Sequence, residues 1–314
     1  MTRLAGIDCG TNSIRLLISD VGADGGLTDV HREMRIVRLG QGVDATGRFD
    51  PEAIARTRAA LEDYAELLRV HEVERVRMVA TSATRDAANR DEFFAMTAEV
   101  LGAVLPGSVA EVITGTEEAE LSFLGAVGEL DATAGPFVVV DLGGGSTEVV
   151  LGVDGVQASF SADIGCVRLT ERCLHSDPPT ADEISAAREV VRERLGEALA
   201  AVPVQHAKTW VGVAGTFTTI AALARRLTTY DSDLIHLSRI GFGELLPVCD
   251  ELISMTRKQR AALGPMHEGR VDVIGGGAIV VEELARELGE RAGITTLTVS
   301  EHDILDGIVL SLLG

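Results

Sequence analysis

The sequence predicts an α/β protein of two domains, built on one duplicated plan. Three observations carry that reading. Apolar strands alternate with helix-period segments along the whole chain. The stretch "GIDCGTNSIRLLI" (Gly6 to Ile18) returns about 130 residues later as "VVVDLGGGSTEVV" (Val138 to Val150), each an apolar strand running into an aspartate, small residues and a second apolar stretch. At 314 residues the chain is long for one core and comfortable for two.

Taken in order, Leu4–Ile7 and Ile14–Asp20 read as a hairpin around "DCGTNS", and Leu27–Leu39 as a further strand. Pro51–His71 opens on proline and keeps apolar residues at helical spacing. "RVRMVATSATRDA" is a strand ending near Ala80, with a helix expected from about Asp86. "AEVITG" is a short strand, and Thr116 is the expected cap of a helix over Thr116–Leu130. "DATAGP" breaks the pattern before the second hairpin, whose next strand is "GVQASFSADIG". "VRLTERCLH" and "TADEISAAREVVRERLGEALA" are helical. "KTWVGVAGTFTTIAALARRL" is strand, glycine turn and helix; "RVDVIGGGAIVVEELARELGER" is a glycine turn feeding a helix. The strand "ITTLTVS" and the helix "EHDILDGIVLSLL" close the chain, and the domain junction falls near Leu124–Pro136.

Composition narrows the function. A net charge of −20 excludes a general affinity for nucleic acid or anionic membrane, though not for a small phosphorylated substrate. Lysine occurs only at Lys208 and Lys258, so the arginine fork is the available group for phosphate oxygens. No leader pattern precedes the first strand, no apolar run is long enough to span a bilayer, and Cys9, Cys166, Cys173 and Cys249 show no metal spacing. The expectation is a reduced, cytoplasmic protein, and a homodimer on base rates alone.

A strand-end aspartate followed by a glycine turn suits phosphate chemistry. Glycines let backbone N–H groups approach phosphate oxygens, and the carboxylate can hold Mg²⁺. Two such hairpins facing across a cleft would clamp a phosphate chain. Competing motifs fail. There is no GxxxxGK[ST], no convincing GxGxxG and no HExxH. Gly10 stands where a haloacid-type phosphatase needs its second aspartate. Ser146 lacks the final glycine of a nucleophile elbow. Cys9 and Leu142 replace the Thr or Ser of an aspartic protease.

With "ATSATRDAANRDEF", "VITGTEEAELSFLGAV", "DLGGGSTEVV", "VGVAGTFTTIAAL", "GRVDVIGGGAIVVEEL" and "VSEHDILDGIVL" in that order, the whole chain resembles the exopolyphosphatase/guanosine pentaphosphate phosphohydrolase family, in its short two-domain form. That family belongs to the acetate and sugar kinase, heat-shock and actin superfamily. The resemblance implies two ribonuclease H-like (actin-like) domains, each a mixed sheet flanked by helices, with the active-site cleft between them. The first would cover residues 1–125, completed by a closing helix over 300–314, and the second residues 126–299.

It also implies roles. Glu118 matches the hydrolytic glutamate, although Glu117, Glu118 and Glu120 equally suit the first turn of a helix through its dipole. Arg85 matches an active-site arginine. Asp141 and Glu148, with Asp8 as first-hairpin counterpart, match metal-associated carboxylates; an aspartate after three valines is costly to bury without a partner. The phosphate cradles would be Gly10, Thr11, Asn12 and Ser13 with Arg15, and Gly143, Gly144, Gly145, Ser146 and Thr147. Gly215 and Arg270 are weaker substrate candidates, and Gly212 accompanies Gly215. The cofactor implied is Mg²⁺, with Mn²⁺ as alternative. The reaction implied is Mg²⁺-dependent release of terminal orthophosphate from inorganic polyphosphate. Its acidic surface favours short chains, because processive work on a long polyanion needs a basic track. The alternatives are hydrolysis of guanosine pentaphosphate (pppGpp), or a non-catalytic sensor of pppGpp and ppGpp.

Overall fold

The valines before Asp141 form a strand buried on both faces, the pattern of a central strand with helices on either side. The computed structural model describes residues 2–23 and 25–313. The chain divides into two units, 1–125 with 304–314, and 126–303.

The first unit holds β1 (Thr2–Cys9), β2 (Ser13–Val21), β3 (Leu27–Ile36), β4 (Arg75–Ala80) and β5 (Glu111–Val112), in the order β3-β2-β1-β4-β5. β1, β2 and β3 pair antiparallel, while β4 and β5 add on in parallel. The second unit holds β6 (Phe137–Leu142), β7 (Thr147–Gly152), β8 (Val156–Ala162), β9 (Thr209–Val213), β10 (Ser238–Gly241) and β11 (Thr296–Val299). Their order is β10-β11-β9-β6-β7-β8, again with an antiparallel triple and then parallel neighbours, and with β10 as an antiparallel edge. The duplication is therefore one of topology as well as of motif. The parallel strands need helical crossovers, which places helices on the sheet faces.

The Pro51–Val70 helix begins as its sequence requires, with Asp50 accepting from the Glu52 N–H and proline in the first turn. Its apolar side, through Leu61, Tyr64 and Leu68, enters the core of the first unit with Ile7, Ile14 and Phe93. In the second unit Trp210 lies edge-on to Phe217 and Phe242 in the core between sheet and helices.

Several local expectations are corrected. Helix already runs over Ser82–Asp86, and a separate one over Arg90–Gly102 follows; the extended backbone at Ala87 (ψ 121°) divides them. The helix over Gly115–Val127 is capped by Thr114, not Thr116: the Thr114 hydroxyl accepts from the Glu117 N–H at 3.2 Å. Gly275, Gly276 and Gly277 are not a turn but the start of the Ile274–Ala292 helix. A Cβ at Gly276 would lie 2.5 Å from Thr170 Oγ1, and one at Gly277 2.7 Å from Thr216 Cγ2, so helix contact, not chain reversal, requires the glycines. The closing helix is shorter, Ile304–Leu310, because Ser300 forms a local turn with the His302 backbone. β10 and the Phe242–Ser254 helix lie in a stretch where the sequence reading named no element.

Candidate active site

β1 ends by delivering Asp8 beside Arg15 of β2, its direct partner across the ladder. The Arg15 fork donates to Asp8 Oδ2 from Nε at 3.0 Å and Nη2 at 2.7 Å. Between the strands the Gly10 N–H donates to the Ser13 carbonyl at 3.0 Å, closing a tight turn. Gly40 supports this loop: its N–H donates to the Thr11 carbonyl at 2.8 Å, and a Cβ there would lie 2.4 Å from Thr11 Cγ2. The Asn12 carbonyl accepts from Val37 and Arg38.

The loop after β4 brings in Thr81 and Arg85. Arg85 Nη1 donates to Glu118 Oε2 at 2.7 Å and to the Ile113 carbonyl at 3.1 Å. Glu118 is 7% exposed, and burial pushes its carboxyl up to about 7 despite the counteracting Arg85 guanidinium. The nearby Asp8 charge raises it further, and a hydrogen bond with the Thr81 side chain lowers it. A carboxylate poised near neutrality beside a cation is the state a general base requires. Glu118, Arg85, Asp8 and Arg15 are thus one electrostatic cluster, joined by Thr81. The sequence reading passed over Thr81, although it lies in the same "ATSATR" stretch that supplied Arg85.

The second hairpin repeats the geometry with different chemistry. The Gly143 N–H donates to the Ser146 carbonyl at 3.0 Å, the same turn at the same distance. Asp141 opposes Glu148 across the β6–β7 ladder just as Asp8 opposes Arg15. Where the first hairpin meets its aspartate with a cation, the second sets two buried carboxylates on one face, 6% and 1% exposed. Ser161 Oγ on β8 donates to Glu148 Oε1 at 2.7 Å, another contact the sequence reading did not foresee. The Gly143 and Gly144 carbonyls accept from the first N–H groups of the Cys166–Cys173 helix, and the Thr147 hydroxyl donates to the Ile164 carbonyl. A Cβ at Gly165 would lie 2.4 Å from the Gly144 carbonyl carbon, so the glycine loop lies directly against this helix.

Arg270 and Gly215 meet in the second unit: a Cβ on Gly215 would fall 2.3 Å from the Arg270 guanidinium carbon, and Arg270 Nη1 donates to Thr219 Oγ1. Gly212 has a packing role, since a Cβ there would lie 2.6 Å from the Phe217 ring.

Two buried carboxylates offering hard oxygen donors fit a divalent cation such as Mg²⁺. Asp8 fits one less well than its motif suggests, because Arg15 already neutralises it through Oδ2.

A profile of the Ppx/GppA phosphatase family matches residues 17–312. The chain belongs to that family. It is 75% identical over 317 aligned residues to exopolyphosphatase 2 of Mycobacterium tuberculosis, covering 100% of this chain and 99% of that protein. A family member from Aquifex aeolicus shares 33% identity at a TM-score of 0.79, over 99% of this chain and 97% of its own. An exopolyphosphatase from Cytophaga hutchinsonii shares 26% identity at a TM-score of 0.83, over 99% and 98%. This Ppx/GppA member shares its fold with the Aquifex aeolicus protein and is built of two mixed sheets flanked by helices. No helix among its described residues is long and apolar enough to cross a membrane.

Proposed function

We propose that this chain is an exopolyphosphatase that hydrolyses the terminal phosphoanhydride of inorganic polyphosphate, with Glu118 as general base. The observation that carries the mechanism is the buried Glu118 carboxylate, raised to about 7 and held by Arg85 at 2.7 Å. Full-length similarity to a protein named an exopolyphosphatase supports the substrate class.

In this reading Glu118 orients a water molecule toward the last phosphorus and takes its proton as the new P–O bond forms and the bridging P–O bond breaks, the electron pair leaving on the terminal oxygen of the shortened chain. Protonation of Glu118 removes the anion that engages Arg85, so the guanidinium turns to the oxygens of the departing orthophosphate. The glycine turn after Asp8, in the same unit as Glu118, supplies backbone donors to the neighbouring phosphate. Arg15, held by Asp8, is a further phosphate ligand in reserve. Asp141 and Glu148 would hold Mg²⁺ (or Mn²⁺), with Ser161 fixing the Glu148 rotamer; when bound, the ion would supply charge neutralisation to phosphate oxygens.

The preferred substrate is short-chain polyphosphate. The net charge is −20, and much of the arginine is already engaged in pairs such as Arg58–Glu99, Arg69–Glu66 and Arg192–Glu283. Little cationic surface is left for a long polyanion. The deciding experiment measures orthophosphate release with Mg²⁺ from polyphosphate of a few residues, from polyphosphate of several hundred, and from guanosine pentaphosphate, side by side. Fastest turnover on the short chains is expected. A clear preference for the longest chains would overturn the chain-length reading. Release from the pentaphosphate alone would move the protein to alarmone hydrolysis with the same base. Tight binding of any of these without release would make it a sensor.

A further inference from the structure

The C-terminal unit contains a groove of about 720 Å³, within the range of small-molecule sites. It lies at the C-terminal end of the Gly215–Ala224 helix, bounded by the edge strand β10 and the Phe242–Ser254 helix. The ten-residue helix sets it about 15 Å along the axis from Gly215, at the helix end away from the glycine turn.

Five charged side chains line this groove: Arg225, Arg226, Arg239, Glu244 and Glu251. Among the described residues, none of the five forms an ion pair or a side-chain hydrogen bond, with one another or with any other residue. Elsewhere in the same unit arginines close onto carboxylates, as Arg188 does with Glu282 and Arg286 with Glu283. Opposite charges left apart around a cavity leave room for a ligand carrying both acceptors and donors.

The backbone supports a built site. The Gly215–Ala224 helix ends with the Arg226 N–H donating to the Leu223 carbonyl and the Leu227 N–H to the Ala222 carbonyl, both at 2.9 Å. That arrangement places residue 226 in the left-handed region, at φ 56°, where glycine is the usual occupant. Arginine stands there instead, and its side chain is carried to the groove wall at the cost of a strained backbone. Across the groove, Pro247 has no N–H to donate to the Gly243 carbonyl, so this lining residue keeps an acceptor outside the helical ladder. Leu223, Ile240 and Val248 supply an apolar strip between the charges.

We propose that this groove binds a nucleoside phosphate. Its phosphates meet Arg225, Arg226 and Arg239, its base lies on the apolar strip, and its ribose hydroxyls or base amino group donate to Glu244, Glu251 or the Gly243 carbonyl. A bare inorganic phosphate chain fits less well, since it has no donors for the two carboxylates. The proposal stands independently of the polyphosphatase reading, because none of these residues belongs to the catalytic cluster.

The test titrates ATP, GTP and inorganic tripolyphosphate separately into the intact protein and follows hydrogen exchange over residues 223–251. ATP or GTP is expected to protect this segment, and tripolyphosphate to leave it unprotected. Arg226→Ala/Arg239→Ala should weaken the nucleotide-dependent protection at least tenfold while phosphate release from polyphosphate stays at the wild-type rate. Glu251→Gln, a milder change at an exposed helix position, should weaken it severalfold and keeps the test readable if the double variant folds poorly. Absence of nucleotide-dependent protection would overturn the proposal. So would protection unaffected by these variants, or equal protection by tripolyphosphate, which would assign the groove to inorganic phosphate chains.

Discussion

Asp141 and Glu148 oppose each other across the second hairpin at the very ladder position where the first hairpin sets Asp8 against Arg15. One backbone plan therefore carries two electrostatic solutions. In the first, an aspartate is paired with an arginine across the ladder; in the second, two buried carboxylates face each other, the pair proposed above to hold Mg²⁺. The duplicated turns therefore share a backbone and differ in charge.

The first prediction concerns Glu118. Because burial raises its carboxyl to about 7, the fraction in the basic form grows as pH rises through 7, and kcat/KM should rise with it to a plateau. Glu118→Gln is expected to lower kcat by roughly 10²–10⁴-fold, the usual worth of a general base, with little change in substrate binding. Its residual rate should lack the ascending limb. A limb that survives in the variant would belong to the titrating end of the substrate, and more than about half of wild-type turnover would remove Glu118 from the mechanism.

The same residue predicts a stability effect of opposite sign. A carboxyl raised from 4.5 to about 7 holds its proton in the folded protein at pH values where the unfolded chain has released it. Its contribution to stability is therefore fully present below about 4.5 and is lost as pH rises through 7. Glu118→Gln, which keeps a neutral acceptor toward Arg85, should melt higher than wild type at pH 8, with the gap closing by pH 5. Thermal melts of both proteins across that range would show it. A variant that melts lower at pH 8 would mean that Arg85 needs the full negative charge.

How far the sequence carries such arguments depends on the residue. The aspartates stand out because each ends a strand ahead of small residues in a repeated motif, whereas Glu118 and Arg85 are reached only through the family resemblance, since acidic residues in a first helical turn equally suit the helix dipole. Gly40, Thr81 and Ser161 could not. Their roles arise from pairing between segments distant in the chain: Gly40 makes room for Thr11, Thr81 reaches Glu118, and Ser161 holds Glu148. The glycines of "VIGGGAIV" misled for a related reason. Glycine marks a turn in most local contexts, but here it permits close helix packing on Thr170 and Thr216, a requirement set by tertiary contact. The sheets were the most legible part, since strand-end aspartates and buried valine runs are local signals.

Ser161 leads to a third prediction. Its hydroxyl donates to Glu148 Oε1 at 2.7 Å and so fixes the orientation of one carboxylate proposed to hold Mg²⁺. Ser161→Ala should raise the Mg²⁺ concentration giving half-maximal activity by roughly 10-fold, the lower end for loss of such a supporting contact. Saturating Mg²⁺ should restore most of kcat. An unchanged Mg²⁺ midpoint would take Glu148 out of the metal's immediate surroundings.

The last prediction tests how Glu118 is positioned. Its helix, Gly115–Val127, lies against the closing helix Ile304–Leu310 within the first unit, and Leu121, Ile304 and Ile308 share a small core with Val79 and Ile113. Gly307 sits at the tightest point: a Cβ there would fall 2.0 Å from the Leu121 carbonyl oxygen. That neighbour is backbone, so no rotamer change relieves the clash and the two helices must separate. Gly307→Ala is therefore expected to cost about 1–3 kcal/mol, the usual range for overpacking. Any separation also moves Glu118, one turn before Leu121, relative to Arg85, so kcat should fall more than the loss of folded protein explains. Matched measurements of melting temperature and of kcat per folded molecule distinguish the two effects. A variant with wild-type stability and turnover would show that this contact tolerates a methyl group and does not fix the base.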